Sequence, residues 1–300
     1  MTVRIPSKLC AVALAFLLVL SCWGLERLSP QMRAVTAPME DDAAVTLPVL
    51  MYHHILEASS SRLGDYVITP EQFESDLQFL SSHGYQAVTT AEILNFVRTG
   101  SPLPEKPVLI TFDDGFESVY VYAYPLLKKY NMKAAVSVIG AYTELFSDPN
   151  EPRHLNYSHL SWEQLREMID SGIFEVGNHT MNMHEDGTNG KRFGIRIKEG
   201  ENETAYRKAV TEDIGGLNNR MEEELGIRPK IFAYPFGALC KESKPILSEL
   251  GFSVILTCEE KINTLTCGSE EPIILKRYNR AYRYTSAQYF AKLGIKDENV

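Results

Sequence analysis

The chain has 300 residues, which is enough for one large domain or two ordinary ones with a sizeable core. Its composition is 44% hydrophobic and 23% charged, and this balance excludes a disordered or fibrous protein. The 39 acidic residues outnumber the 30 basic ones and give a net charge of −9. No nucleic-acid partner is expected, because binding phosphate requires an excess of Lys and Arg.

The N-terminal segment predicts export. Arg4 and Lys8 flank an apolar run without charge, so residues 1–25 have the pattern of a signal peptide or an N-terminal membrane anchor. The four residues ending at Cys22 also resemble a lipobox, in which the cysteine carries lipid. Residues 26–46 contain prolines and clustered acids and predict a linker. We therefore expect a cell-surface protein that is membrane-anchored, lipidated or secreted.

Three cysteines follow the predicted leader and linker, namely Cys240, Cys258 and Cys267. They show no CxxC spacing, so the sequence supports no cysteine metal site. A disulfide between Cys258 and Cys267 and a set of isolated thiols both remain open.

Segments with strand and helix patterns alternate from residue 47 onward. Strands are predicted at residues 48–52, 85–89, 107–112, 134–139, 173–176, 231–234, 252–256 and 273–276. Helices are predicted after the N-caps Thr69, Thr90 and Ser161, and at residues 119–130, 204–225, 243–250 and 286–292. The helix at 204–225 is expected to break or bend near Gly215 and Gly216. This order predicts βαβ units, a mostly parallel sheet and one barrel-like α/β domain over residues 47–300.

Polar residues follow several of these strands directly. They are His53 and His54, Asp113 and Asp114, Asn178 and His179, and the turn at residues 235–237. The carboxyl ends of parallel strands form the functional edge of such folds. We therefore expect these side chains to meet in one site.

Adjacent carboxylates and two imidazoles indicate a metal site. Asp113 and Asp114 end in an Asp-Gly turn, which is also common as a simple solvated turn. His179 and His184 supply two further ligands, and two imidazoles with one carboxylate form a three-ligand set that leaves positions open. One Asp then binds the metal while the other acts as a base. The ligand types favour Zn²⁺, and Co²⁺, Ni²⁺ or Fe²⁺ fit the same set.

Three segments resemble motifs of a known family in order and spacing. They are TFDDG at residues 111–115, HTMNMH at 179–184 and FAYPFG at 232–237. They resemble the polysaccharide deacetylases, the NodB-homology domains of carbohydrate esterase family 4. The motif-bearing part covers residues 106–300, and residues 48–54 resemble the lead-in of the poly-N-acetylglucosamine deacetylase branch.

The resemblance implies a distorted (β/α)₇ barrel as a single catalytic domain. It also implies metal-dependent removal of N-acetyl groups from an N-acetylglucosamine polymer of the peptidoglycan or poly-N-acetylglucosamine type. Under it, the metal ligands are Asp114, His179 and His184. Asp113 becomes the general base, and the backbone N–H of Phe236 stabilises the oxyanion.

The same resemblance places three residues of the third motif at the substrate. Tyr234, Phe236 and Gly237 are expected to form the cleft wall.

Residues 185–202 have the composition of a long polar loop near the site, either a substrate-binding lid or a mobile segment. Trp162 lies in a predicted helix and is expected to pack in the core.

The sequence departs from the family pattern at three points. The two histidines are five residues apart instead of the commoner four. Ala233 stands where the family has an arginine that orients the base, so Arg277 or Arg280 is expected to take that role. The late histidine motif that supplies the acid is absent, and no histidine follows His184.

The acid must therefore come from elsewhere. His53 is the first candidate and His54 the second, while a buried structural pair is the alternative explanation for both residues.

Three other functions remain compatible with parts of the pattern. An O-acetyl xylan esterase would use the same site on an ester. A non-catalytic carbohydrate-binding module could share the fold, although the intact Asp113 argues against it. An iron oxygenase with two His and one Asp is permitted by ligand type, but the βαβ order disfavours it.

Overall fold

The computed structural model describes residues 44–295. The predicted leader, residues 1–25, and residues 26–43 of the predicted linker lie outside the described residues. The first strand begins at Val45, inside the predicted linker. No helix within residues 44–295 is long and apolar enough to cross a membrane.

The strands and helices follow the predicted alternation. The strands are β1 Val45–Leu47, β2 Val49–Tyr52, β3 His54–Ile55, β4 Val67–Ile68, β5 Gln86–Ala87, β6 Pro107–Phe112, β7 Ala134–Val138, β8 Phe174–Asn178, β9 Ile231–Ala233, β10 Val254–Leu256, β11 Asn263–Leu265, β12 Ile273–Leu275 and β13 Tyr278–Asn279. The α-helices are α1 Pro70–Ser82, α2 Thr90–Thr99, α3 Tyr124–Lys129, α4 Gly140–Ser147, α5 Trp162–Asp170, α6 Glu203–Leu225, α7 Ser243–Glu249 and α8 Ser286–Lys292. A π-helical turn, Val119–Ala123, precedes α3.

The main sheet is parallel and runs in the order β12-β10-β9-β8-β7-β6-β2-β13, with β5 also paired to β6. Its first and last strands, β12 and β13, are separated along the chain only by Lys276 and Arg277. The sheet must therefore curl until its two ends come together. Taken as one interrupted strand, β12 and β13 complete a ring of seven, which confirms the predicted distorted (β/α)₇ barrel.

Alternating residues of these strands divide between two kinds of core. Val49, Leu109, Ala135 and Ala233 cluster with one another and with the apolar side of α2, so they fill the inside of the barrel. Their neighbours in sequence pack outward against the other helices. Trp162 belongs to the outward core, as predicted.

Side-chain caps fix most helix starts. Thr69, Ser161 and Thr285 each accept from the third helical amide in a capping box. Thr89, rather than the predicted Thr90, caps α2, because the Glu92 side chain reaches back to the Thr89 backbone.

One further prediction is corrected, and one open alternative is decided. Helix α6 continues through Gly215 and Gly216, so the predicted break there is wrong. The sequence patterns also did not predict the small pairings of β1 with β11 and of β3 with β4. All three described cysteines are free, so Cys258 and Cys267 form no disulfide.

Candidate active site

A cleft of about 690 Å³ opens at the carboxyl ends of the barrel strands. It is lined by Met51, His53, His54, Arg62, Tyr66, Val67, Asp113, Asp114, Phe116, His179, His184, Phe236, Cys258, Glu260 and Asn279. The structure thus brings the three predicted motifs and the His53 segment to one place.

Asp114, His179 and His184 face one another in this cleft. Oδ1 of Asp114 lies 3.4 Å from Nε2 of His179 and 3.3 Å from Nε2 of His184. Burial alone would raise the pKa of Asp114, but hydrogen bonding to the two imidazoles holds the pKa well below its usual value. The three ligand atoms lie within 4.8 Å of one another, as a shared metal ion requires.

The tautomer of His179 is set by the third motif. Its Nδ1–H donates to the carbonyl oxygen of Ala233 at 2.8 Å, so Nε2 keeps its lone pair for the cleft. Ala233 occupies the position where the family has an arginine, and its backbone orients a metal ligand. The donor set and this imposed tautomer therefore fit a divalent metal.

Three site residues adopt left-handed backbone conformations although none of them is glycine. They are Asp114 with φ of 68°, Thr180 with φ of 75° and Phe236 with φ of 56°. Such conformations are costly for a β-branched residue such as Thr180 and persist only where surrounding contacts impose them. The structure thus holds all three motifs under local strain.

Arg277 binds the carboxylate of Asp113. Its Nη1 and Nη2 donate to Oδ1 and Oδ2 of Asp113, each at 2.7 Å, while its Nε donates to the carbonyl oxygen of Thr257. Arg277 is 0% exposed and Asp113 2% exposed. Burial would raise the pKa of Asp113, but the guanidinium charge outweighs it and lowers the pKa. Asp113 is therefore held as an oriented, ionised carboxylate.

Of the two predicted arginines, only Arg277 reaches the base. Arg280 is buried elsewhere, where its Nε donates to Oδ2 of Asp76 at 2.7 Å. Tyr52 donates its hydroxyl to the same carboxylate, so Arg280 ties α1 to the segment after β13. Arg277 reaches Asp113 because it lies between β12 and β13, where the two ends of the sheet meet.

The two adjacent histidines have different environments. His53 faces the cleft, its ring lies edge-on to Tyr66 at 4.8 Å, and its buried Nδ1 has no hydrogen-bond partner among the described residues. Burial lowers the pKa of His53.

His54 is 1% exposed, with Nδ1 2.7 Å from Oγ of Ser118 and its ring stacked on Phe116. Burial lowers the pKa of His54 to about 4. The structural explanation therefore holds for His54, which leaves His53 as the candidate acid.

The third motif forms a tight turn over the site. Phe236 is 46% exposed, its ring lies 4.4 Å from that of His184, and no hydrogen bond within residues 44–295 uses its N–H. Gly237 has φ of 62°, and a Cβ there would come within 2.9 Å of Cys258. Only glycine fits that position, so this close packing holds the turn and Phe236 in place.

Tyr234 does not line the cleft, and its prediction as a substrate-contacting residue is wrong. It is 1% exposed, and its hydroxyl lies 2.7 Å from Oγ of Ser243. Tyr234 shares the outward strand face with Phe232, and the two rings pack edge-on. Burial raises the pKa of Tyr234 to about 12.

Residues 185–202 form the predicted loop beside the site. Phe193 stacks on Phe236 at 5.4 Å, and Ile195 is fully buried. Arg192 binds Glu201 through two hydrogen bonds, which anchors the loop to itself.

Sequence reasoning missed several residues that line the cleft. Arg62 and Tyr66 come from the segment between β3 and β4, which carries no motif. Cys258 lies beside Gly237 and Met51 as a free thiol. Cys258 is the second residue after β10, so its position predicts a place at the carboxyl edge of the sheet, beside the other cleft residues.

The cleft holds two imidazoles and a carboxylate beside a second, ionised carboxylate, and it lies in the mouth of a parallel α/β barrel. This arrangement is that of a metal-dependent hydrolase. Comparison with known proteins agrees with that class. The family model for polysaccharide deacetylases matches residues 100–255. Arg277 lies beyond this matched segment.

Solved structures and a named sequence relative show the same similarity. The structure of IcaB from Ammonifex degensii aligns with a TM-score of 0.67 at 30% identity, covering 83% of this chain and 96% of that one. The deacetylase PplD from Streptococcus pyogenes aligns with a TM-score of 0.65 at 23% identity over 83% and 98% of the two chains, which supports the fold. The poly-beta-1,6-N-acetyl-D-glucosamine N-deacetylase of Staphylococcus aureus is 27% identical over 226 residues, covering 72% of this chain and 73% of its own.

The chain belongs to the polysaccharide deacetylase family. The predictions of family, fold class and hydrolytic enzyme are therefore confirmed. Polysaccharide deacetylases of this family are metal-dependent, in agreement with the Asp114, His179 and His184 group.

Proposed function

We propose that this protein removes N-acetyl groups from an exported polymer of the poly-β-1,6-N-acetylglucosamine type. The observation that carries the proposal is the buried Asp113, held by Arg277 directly beside the group of Asp114, His179 and His184. The name of the Staphylococcus aureus relative supports the choice of polymer. The N-terminal segment, with its pattern of a leader or anchor, would direct the enzyme to the cell surface.

Asp114, His179 and His184 would hold the metal. Two imidazoles and one carboxylate favour Zn²⁺, with Co²⁺ or Ni²⁺ as fitting substitutes. A divalent ion bound there would polarise the acetyl carbonyl and lower the pKa of the attacking water towards neutrality. The rest of the chemistry falls to side chains of the chain itself.

Asp113 acts as the general base. It removes a proton from the attacking water as the new C–O bond forms, and Arg277 keeps both carboxylate oxygens in place. The free N–H of Phe236 donates to the oxyanion of the tetrahedral intermediate. His53, in its imidazolium form, then delivers a proton to the nitrogen as the C–N bond breaks. Asp113 releases the proton that it took from water and His53 takes one up again, so the products are acetate and a free amine.

The direct test is acetate release from β-1,6-linked N-acetylglucosamine oligomers and from acetylated xylan, measured in parallel with zinc-loaded and chelator-treated enzyme. We expect release from the glucosamine oligomers that is lost on chelation and restored by Zn²⁺. Release only from xylan would contradict the amide assignment and favour the esterase. Bound zinc with no release from any acetylated glycan would favour a binding module.

A further inference from the structure

The segment between the two histidine ligands is fastened by its backbone. The carbonyl oxygens of Thr180 and Met181 accept from the N–H groups of Gly140 and Ala141, at 3.0 and 2.8 Å. These two donors belong to the first turn of α4. Gly140 permits the approach, because a Cβ there would come within 2.5 Å of the Met181 sulfur and 3.3 Å of its Cα.

Asp213 of α6 fastens the same segment through its side chain. The N–H of Met181 donates to Oδ1 and the N–H of Asn182 to Oδ2, both at 2.9 Å. Two successive amides directed at one carboxylate form a nest, a favourable arrangement for negative charge. Asp213 has no ion-pair partner within 4.0 Å among residues 44–295, so these two amides account for both of its oxygens.

The segment requires such support because its backbone is strained. Thr180 has φ of 75°, in the left-handed region that a β-branched residue avoids. That conformation turns the chain between His179 and His184, whose spacing of five residues differs from the commoner four. The contacts from α4 and α6 must offset the strain for the two imidazoles to meet.

We propose that Asp213 is a positioning residue for the metal site: its carboxylate fixes the peptide between His179 and His184 and thereby sets the separation of the two imidazoles. The inference rests on the proposed metal ligands and deepens the account of that same site. Asp213 acts through the backbone and touches neither the metal nor the substrate.

The test compares zinc affinity in Asp213→Asn and Asp213→Ala with that in the control Glu212→Gln. Glu212 is an exposed neighbour on the same helix whose ion pair within residues 44–295 is with Lys208, so its substitution removes the same charge without touching the segment. Loss of a group that supports a metal ligand typically weakens binding 10–100-fold. We expect about that loss for Asp213→Asn, and wild-type affinity for Glu212→Gln.

Two further readouts separate positioning from general stability. The visible absorption of the Co²⁺-loaded protein reports ligand geometry and should change in Asp213→Asn but not in Glu212→Gln. Urea unfolding of the metal-free proteins gives the stability of each variant, and hence the fraction that is folded under the conditions of the zinc titration. Asp213→Asn keeps the side-chain size and one acceptor oxygen, so it decides the test if Asp213→Ala does not fold.

Wild-type zinc affinity and an unchanged Co²⁺ spectrum in folded Asp213→Asn would overturn the inference while leaving the proposed function intact. Failure of the wild-type protein to bind zinc at all would instead contradict the proposed metal site. The two failures are therefore distinguishable without measuring activity.

Discussion

Replacing Arg277 with Met should separate the effect of this residue on the base Asp113 from its contribution to the stability of the fold. The substitution removes two 2.7 Å hydrogen bonds and leaves Asp113, 2% exposed, as an unpaired buried charge. Breaking a buried ion pair in this way costs about 3–5 kcal/mol of unfolding free energy. Because a base displaced by about 1 Å can lose roughly 10²-fold in rate, we expect kcat of the folded variant to fall by about that factor.

Arg280→Met is the matched control. Arg280 is equally buried and is also bonded to an aspartate, Asp76, but it does not contact Asp113. Unfolding in urea should therefore show similar losses of stability for the two variants. Acetate release per folded, zinc-loaded molecule should fall much further in Arg277→Met than in Arg280→Met.

A double variant tests the same pair thermodynamically. Replacing a buried ion pair with apolar residues of similar volume is often neutral, so Asp113→Leu combined with Arg277→Met should recover most of the stability lost in Arg277→Met alone. Equal losses of kcat in Arg277→Met and Arg280→Met would refute the claim that Arg277 orients the base.

Burial lowers the pKa of His159 to about 4, so the unfolded chain, with a histidine pKa of about 6.5, binds more protons between these values. The free energy of unfolding should therefore fall as pH drops from about 6.5 to 4, and His159 should account for about 2 kcal/mol of this loss at pH 5. The decrease in urea midpoint over this pH range should be smaller in His159→Gln than in the wild-type protein. Equal decreases would contradict the lowered pKa of His159. Gly237→Ala should destabilise by about 1–3 kcal/mol, because of its positive φ and the clash with Cys258. Gly216→Ala, in the helix interior with open space around it, should instead stabilise by about 0.5–1 kcal/mol in the same urea assay, and the same sign for both variants would contradict the steric argument.

The period of two along each strand would have predicted more of the site than the motifs alone. His53, Asp113, His179 and Arg277 all share the parity of the inward-facing strand residues, so each continues the barrel interior beyond its strand. Tyr234 has the opposite parity, which explains its burial among the outward residues. The same rule separates His53 from His54.

Other features depended on tertiary structure. The choice between Arg277 and Arg280 could not be made from sequence, because it depends on where the curled sheet closes. Asp213 lies far from the motifs along the chain and meets them only through the packing of α6.

The cap of α2, by contrast, was predictable from sequence, since Glu92 stands at the capping-box spacing from Thr89 and not from Thr90.

Asp113→Asn distinguishes a base from a metal ligand at this position, because the amide keeps the size of the side chain but cannot take a proton. Zinc content and acetate release from N-acetylglucosamine oligomers should be measured on the same preparation of the variant. If Asp113 is the base, we expect wild-type zinc content with turnover reduced by about 10²–10⁴-fold. Turnover at the wild-type rate, or loss of the zinc together with activity, would contradict it.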